Sequence, residues 1–294
     1  MATDNYSVLM SVYHKENPEY LRQSIDSMLA QTAPPEQFVL VCDGTLTSEL
    51  DAVIISLENA HPELFNVVRL PTNQGLARAL DYGLEHCRNE IVARMDSDDI
   101  SLPNRCERQL KLMERHNADI VSGALMEFEN TPGDSDAIRK LPEEHNGILR
   151  FARRRSPFNH PCVMFRKSAV CKAGGYHPKD SNYFPLIEDY HLWARLLMSG
   201  TQACNDSEVL LYMRTGSGMY ERRGGFGYFF TMMRFKNYIR KIGLSSWTDF
   251  LICIPAHLVA CIVPSSLRQA IYSKFLRGRN HEKLSNTTKS EVRE

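Results

Sequence analysis

The stretch "IVARMDSDD", residues 91–99, carries a short apolar run into three aspartates within four positions: Asp96, Asp98 and Asp99. An apolar run of that length reads as a buried strand, and the acids fall where the strand surfaces. Similar runs recur outward from it: "SVLMSVY" (7–13), "FVLVC" (38–42), "FNVVRL" (65–70) and "DIVSGALMEF" (119–128). Helical patterns separate them. Asn17 and Pro18 supply an N-cap and a first helical position, and Leu21, Ile25, Met28 and Leu29 form the buried stripe behind them. Asn73 is expected to cap a helix carrying Leu76, Leu80 and Leu84, and Pro103 to open another. Strands alternating with helices imply βαβ units and a mostly parallel sheet covered on both faces. In such sheets ligands bind beyond the carboxyl ends of the strands. Asp43 and Asp96, which end the second and fourth strands, should therefore share one rim.

The remainder is less regular. Residues 129–146 are polar, contain Pro132 and Gly133, and read as a flexible loop. "CVMF" (162–165) is a candidate strand, Gly174–Gly175 a turn, and "EVLLYMR" (208–214) a final strand. Between them a helix is expected from about Ile187, with Leu192, Trp193, Leu196 and Leu197 inward and Glu188 and Asp189 in its first turn. From residue 222 the character changes. "GFGYFFTMMRFKNYIRKIG" (225–243) mixes aromatic with basic side chains, and "FLICIPAHLVACIVP" (250–264) is apolar but short for a bilayer span and broken by Pro255. The last 15 residues are polar and expected to be disordered.

The 35 basic and 35 acidic residues cancel formally but are unevenly placed. Residues 222–294 hold 13 Lys/Arg against 4 Asp/Glu, or +9, which leaves −9 on the rest. An acidic body with a basic aromatic tail suits a membrane surface, where aromatics settle at the interface and cations meet anionic headgroups. A helical appendage packed on the body, or a dimer contact, is the alternative. The eight cysteines are scattered without a C-x-x-C pair, which favours reduced thiols and a cytosolic setting. The N-terminal residues lack the basic and apolar regions of a signal peptide.

Two carboxylates one residue apart at a strand end suit a hard divalent cation, Mg²⁺ or Mn²⁺, held together with substrate phosphates. An N-cap cluster using Ser101 is the plainer reading, but a cap needs one acid and this loop has three. An EF-hand is excluded because Ser101 stands where its loop requires glycine. Arg153, Arg154 and Arg155 either steer a phosphate-bearing acceptor or form a solvated face.

Several segments in order, "SVLMSVYHKENPEYLRQSIDSMLAQT", "VLVCDG", "NQGLARALDYGLEHCRNEIVARMDSDD", "NHPCVMFRKSAVCKAGGY" and "EDYHLWARL", resemble the family 2 inverting glycosyltransferases over roughly residues 6–215. The resemblance implies a GT-A fold: a Rossmann-like, nucleotide-sugar-binding α/β domain with a helical C-terminal extension. Residues 1–128 would form the nucleotide-sugar half, 129–221 the acceptor half and 222–294 the extension. Val12 and Tyr13 would wall the base pocket, and Asp43 would bond the uracil edge of a UDP-type donor. The family often has a second acid where this chain has Cys42. Asn73, Gly75 and Arg78 would lie near the donor diphosphate. Asp96 and Asp98 match the Asp-x-Asp metal pair with Ser97 between them, Asp98 being the preferred ligand, and Asp99 would meet the donor sugar. Asp189 matches the family's base, with Glu188 in reserve, and His160 would lie on the acceptor side.

The expected function is therefore metal-dependent, inverting transfer of a hexose from a UDP-type donor to a saccharide, lipid-linked acceptor. The expected setting is bacterial surface polysaccharide assembly, with the protein cytoplasmic and peripheral on the inner face of the membrane. A sugar-phosphate nucleotidyltransferase would need a glycine-rich loop after the first strand, and "SVYHKENPEY" has no glycine. A non-catalytic nucleotide-sugar-binding or scaffold protein is the remaining alternative.

Overall fold

The computed structural model describes residues 5–178, 184–216, 225–263 and 278–279. Its centre is the parallel array β3-β2-β1-β4, with β1 Tyr6–Val12, β2 Gln37–Cys42, β3 Phe65–Arg69 and β4 Ile91–Asp96. Every residue of β2 is buried, as both faces of such a sheet require. The two faces separate by alternation along β1. Val8, Met10 and Val12 pack with Leu21 and Ile25 of α1 (Pro18–Leu29) and Leu50 and Ile54 of α2 (Ser48–Ala60). Leu9 packs on the other side with Leu80 and Leu84 of α3 (Leu76–His86). Helix α3 approaches closely because Gly83 lacks a side chain: a Cβ there would stand 2.6 Å from Val41 Cγ2.

Beyond β4 the sheet becomes mixed. A two-residue strand β5 (Ile100–Ser101) and α4 (Arg105–His116) lead to β6, Ile120–Phe128. Next come β7 (Ala137–Arg139), α5 (His145–Ala152), a 3₁₀ turn at His160–Cys162, β8 (Met164–Arg166) and α6 (Lys167–Lys172). Strand β8 lies antiparallel between β4 and β6. After α7 (Glu188–Met198), the long strand β9 (Ala203–Arg214) runs parallel to β6 and pairs antiparallel with β5. Helices α8 (Gly225–Lys241) and α9 (Trp247–Ile262) close the described chain apart from β10, Gly278–Arg279, which pairs with β7.

The sequence expectations hold for the strands of the parallel array and for α1, where Asn17 accepts the Glu19 amide at 2.8 Å. Four expectations differ. Asn73 does not cap α3; Gly75 holds that position at φ 86°, a conformation that suits glycine. Pro103 precedes α4, which starts at Arg105. The 129–146 segment contains β7, and β9 begins at Ala203, ahead of the segment read from its apolar pattern. The polar residues 280–294 lie outside the described residues.

Helix α8 packs on the body, as the second reading of the tail had it. Met232, Phe235, Lys236 and Ile239 are buried, and Phe235 meets Phe184 and Tyr190 at ring separations of 5.3 and 4.7 Å. Lys236 is buried because its ammonium has acceptors: it donates to Arg154 O at 2.7 Å and Tyr190 Oη at 3.1 Å. The opposite surface of the two helices leaves Phe226, Phe230, Trp247, Leu251, Ile252 and Val259 exposed.

Two stability measurements follow from this packing. Gly83→Val should cost about 2 kcal/mol or more in urea unfolding, because the added carbons overpack against β1 and β2. Burial pushes the Lys236 ammonium down to about 8 from 10.5. Between those values the unfolded chain binds the extra proton, so this group's penalty is relieved as pH rises. The parent should gain stability relative to Lys236→Met across that window.

Candidate active site

The parallel register places the ends of three strands level. Ser11 pairs with Asp96 and Val12 with Cys42, so the loops after β1, β2 and β4 form one rim. Because β8 is antiparallel, the segment before it also arrives there: the Arg94 amide donates to Val163 O at 2.9 Å, which brings the His160–Cys162 turn to the same edge.

Three carboxylates dominate this rim. Oxygens of Asp96, Asp98 and Asp99 lie within 4.8 Å of one another. Like charges that close need partners, and the nearest is Arg94 inside β4. Its guanidinium is 1% exposed and grips Asp96 with both terminal nitrogens, one at 2.6 Å. Arg105, fully buried, donates to Arg94 O at 2.6 Å. On the other side, Arg214 at the end of β9 donates its amide to Asp99 Oδ1 at 2.8 Å and its Nε to Asp98 O at 3.0 Å. Its guanidinium lies 3.7 Å from the centre of the Tyr20 ring.

These partners leave the set under-compensated. Burial, then Asp96 and Glu16, push the Asp98 carboxyl up to about 7. Burial, then Asp98 and Asp96, hold Asp99 well above the usual carboxylate range, and its Oδ2 is buried without a hydrogen-bond partner. A compact all-oxygen set with an orphaned oxygen fits a hard divalent cation. Asp98 is the best placed of the three to hold it, because Asp96 is committed to Arg94 and Asp99 to the Arg214 amide.

The donor-side residues of the sequence reading fall along the same rim. Val12 is buried, and Tyr13 beyond it is 40% exposed. Asp43, following β2, accepts the Gln74 amide at 2.7 Å and the Gly75 amide at 3.0 Å. Asn73 Nδ2 donates to Asp43 O at 3.2 Å. The 73–75 loop is thus tied to the end of β2, and Gly44 permits the approach, since a Cβ there would meet Asn73 N at 2.6 Å. Arg78 is exposed in the first turn of α3. The Ser97 hydroxyl donates to Glu16 Oε2.

The base candidates of the sequence reading, Glu188 and Asp189, stand in the first turn of α7. Arg94 acts electrostatically on Glu188, His160 and Tyr176, and Tyr176 also feels Asp96 and Asp189. The His160 ring stands 5.6 Å from Tyr176 and 5.9 Å from Trp193. Burial and then Arg94 hold His160 well below its usual range, so it is neutral. Glu188 Oε2 is buried without a partner, and burial followed by Asp189 pushes its carboxyl up.

Arg94, Arg214, Tyr176 and Glu16 were missed from sequence. Arg94 did leave a signal, as the one charge inside an otherwise apolar strand; the others are joined only by the fold. A cavity of about 570 Å³ lined by Arg108, Lys111, Glu143 and Asp206 contains none of these rim residues, so it is separate from the acid cluster.

Residues 7–173 match the model of glycosyl transferase family 2. The chain is 36% identical, over 94% of its length and 98% of the other's, to the UDP-Gal:alpha-D-GlcNAc-diphosphoundecaprenol beta-1,3-galactosyltransferase of Escherichia coli. It is 37% identical to the amylovoran biosynthesis glycosyltransferase AmsE of Erwinia amylovora, covering 93% of this chain and 100% of that one. Among solved structures it resembles the mannosyltransferase PcManGT of Pyrobaculum calidifontis, in complex with GDP-Man and Mn²⁺. The TM-score is 0.58 at 16% identity, over 92% of this chain and 81% of that chain.

The ion pair under the acids separates their roles in stability. Asp96→Asn strands a buried guanidinium and should cost about 3 kcal/mol, the low end for a broken buried pair because the Asp96 side chain is 33% exposed. Asp98→Asn relieves repulsion and should raise the cation-free melting temperature at pH 8. Calorimetry of both variants in EDTA checks the contrast.

Proposed function

The chain belongs to glycosyl transferase family 2 and has the GT-A fold, and from that premise we propose a cation-dependent, inverting transfer of a hexose. The donor is a UDP-type nucleotide sugar and the acceptor a lipid-linked saccharide, in surface polysaccharide synthesis. The observation that carries the reading is the shared neighbourhood of the Asp96/Asp98/Asp99 triad and the Glu188–Asp189 pair, with Arg94 acting on members of both. Names of relatives support the substrate classes: UDP-Gal and a diphosphoundecaprenol-linked sugar for one, amylovoran synthesis for another.

In this reading Val12 and Tyr13 line the base pocket, and Asp43 accepts from the base while fixing the 73–75 loop. Asn73, Gly75 and Arg78 flank the diphosphate. Asp98, with Asp96, would hold Mn²⁺ or Mg²⁺, which when bound would neutralise charge on the departing nucleoside diphosphate. Ser97 and Asp99 complete the donor side.

Inversion requires one displacement at the anomeric carbon, with the acceptor hydroxyl deprotonated as it attacks. Asp189 is the base. Burial and then Asp189 push the Glu188 carboxyl up from its usual range, which leaves Glu188 as the reserve candidate beside Asp189. His160, neutral and buried against Tyr176 and Trp193, shapes the acceptor side. The protein works at the cytoplasmic membrane surface, bringing the exposed Phe226, Phe230, Trp247 and Leu251 to the interface. No helix among the described residues is long and apolar enough to cross a membrane.

Calorimetric titration with UDP, with and without Mn²⁺, tests the donor side. Binding should need the cation and be lost in Asp98→Ala; equal binding by that variant would remove Asp98 from the site. Asp189→Asn should keep UDP binding and lose about 10²–10⁴-fold in transfer. Full turnover by that variant would reject the base assignment.

A further inference from the structure

Three elements brace the acid loop, two with a base and one with an acid. Arg94 grips Asp96 from inside β4, and Arg214 holds Asp98 and Asp99 from the end of β9. The third element is the turn between β1 and α1, and the side chain it presents is the half-buried Glu16. The Ser97 hydroxyl donates to Glu16 Oε2, and Glu16 repels the ionised form of Asp98. The other oxygen of Glu16 accepts the Asn17 amide at 2.8 Å. Among the described residues this carboxylate is held by that hydroxyl and that amide, and no cation pairs with it.

The carboxylate is also fixed in place. The Glu16 amide donates to Tyr13 O at 3.0 Å, which closes the turn. Asn17, whose amide holds Glu16 Oε1, is the N-cap of α1. Ser24 of the same helix donates to Asp96 O at 2.6 Å, so α1 touches the acid loop at a second point. A helix dipole favours an acid ahead of its first turn, and that accounts for Oε1 on the Asn17 amide. It does not account for Oε2, which is turned to Ser97, between two carboxylates of a set already short of positive charge. A glutamine would keep a carbonyl for the Asn17 amide and offer a donor to the Ser97 oxygen, without the repulsion. The charge is what glutamine lacks, and its cost is recovered when positive charge arrives at the triad.

We propose that Glu16 is a positioning residue of the cation site: through Ser97 it fixes the acid loop, and its charge raises the affinity for the divalent ion that Asp98 and Asp96 would hold. The inference rests on the cation reading above and adds a carboxylate to it. Groups behind the ligands of a metal site orient them, and their loss commonly weakens metal binding by about 10–100-fold. The turn that Glu16 closes starts at Tyr13, so the acid loop and the wall of the base pocket are joined through one fixed segment.

The test is a titration of the full chain with Mn²⁺ alone, without nucleotide, into the millimolar range, followed by the loss of the free-ion EPR signal. We expect Glu16→Gln to bind Mn²⁺ about tenfold more weakly than the parent, and Glu16→Asp, which keeps the charge, to lose about threefold or less. Melting in EDTA separates this from a structural role. Loss of a helix-dipole contact alone would lower the cation-free melting temperature of Glu16→Gln and leave its Mn²⁺ affinity at the parent's value, and that result would overturn the proposal. Equal losses in Glu16→Gln and Glu16→Asp would overturn it too, because fit rather than charge would then be the cause. A parent that takes up no Mn²⁺ would remove the cation reading together with this one, whereas Mn²⁺ binding by the parent with unchanged affinity in Glu16→Gln would remove this one alone.

Discussion

A buried arginine beneath a row of acids is the constraint around which the rim is arranged. Three carboxylates within reach of one another repel, and taking them out of water adds to the cost. Arg94 offsets part of that cost by gripping Asp96 from inside β4, while Arg105 braces the Arg94 carbonyl. Arg214 holds the far end of the loop through the Asp99 carboxylate and the Asp98 carbonyl. Compensation is incomplete, and the shortfall is concentrated on Asp98 and Asp99. Sites that trade stability for function commonly carry such local frustration. Here it is the charge that a bound cation would relieve.

The same arginine connects the halves of the site. It is close enough to His160, Tyr176 and Glu188 to influence each of them, so the acids after β4 and the first turn of α7 share one electrostatic environment. The C-terminal helices extend that connection outward. Phe235 and Lys236 of α8 pack on Tyr190, immediately after the proposed base. The helices that face outward with apolar side chains are therefore also the helices that steady α7.

The parallel half was legible in the sequence because its signals are local. Buried strands appear as unbroken apolar runs, and Asn17–Pro18 starts α1 as its spacing implies. Errors gathered where local signals mislead. Asn73 has the chemistry of a cap, but its side chain is drawn to Asp43 O and the cap position falls two residues later, at Gly75. Strand β9 spans "ACNDSEVLLYMR", where polar residues pair with β6 and register shifts interrupt the alternation. The acids were visible as a cluster, whereas Arg214, which holds their far end, was not. Arg214 lies 115 positions from Asp99, and no pattern within one segment joins them.

A single displacement at this rim, with Asp189 proposed as base and the aspartate triad on the leaving-group side, would fix the configuration of the product. The most direct measurement is the anomeric configuration of the product, read by proton NMR from an α-linked UDP-hexose with an equatorial 2-substituent, Mn²⁺ and a lipid-linked saccharide. A β-linked product, with the large coupling of axial anomeric and neighbouring protons, is the expected result. An α-linked product would mean retention, and would contradict both the single displacement and the role given to Asp189.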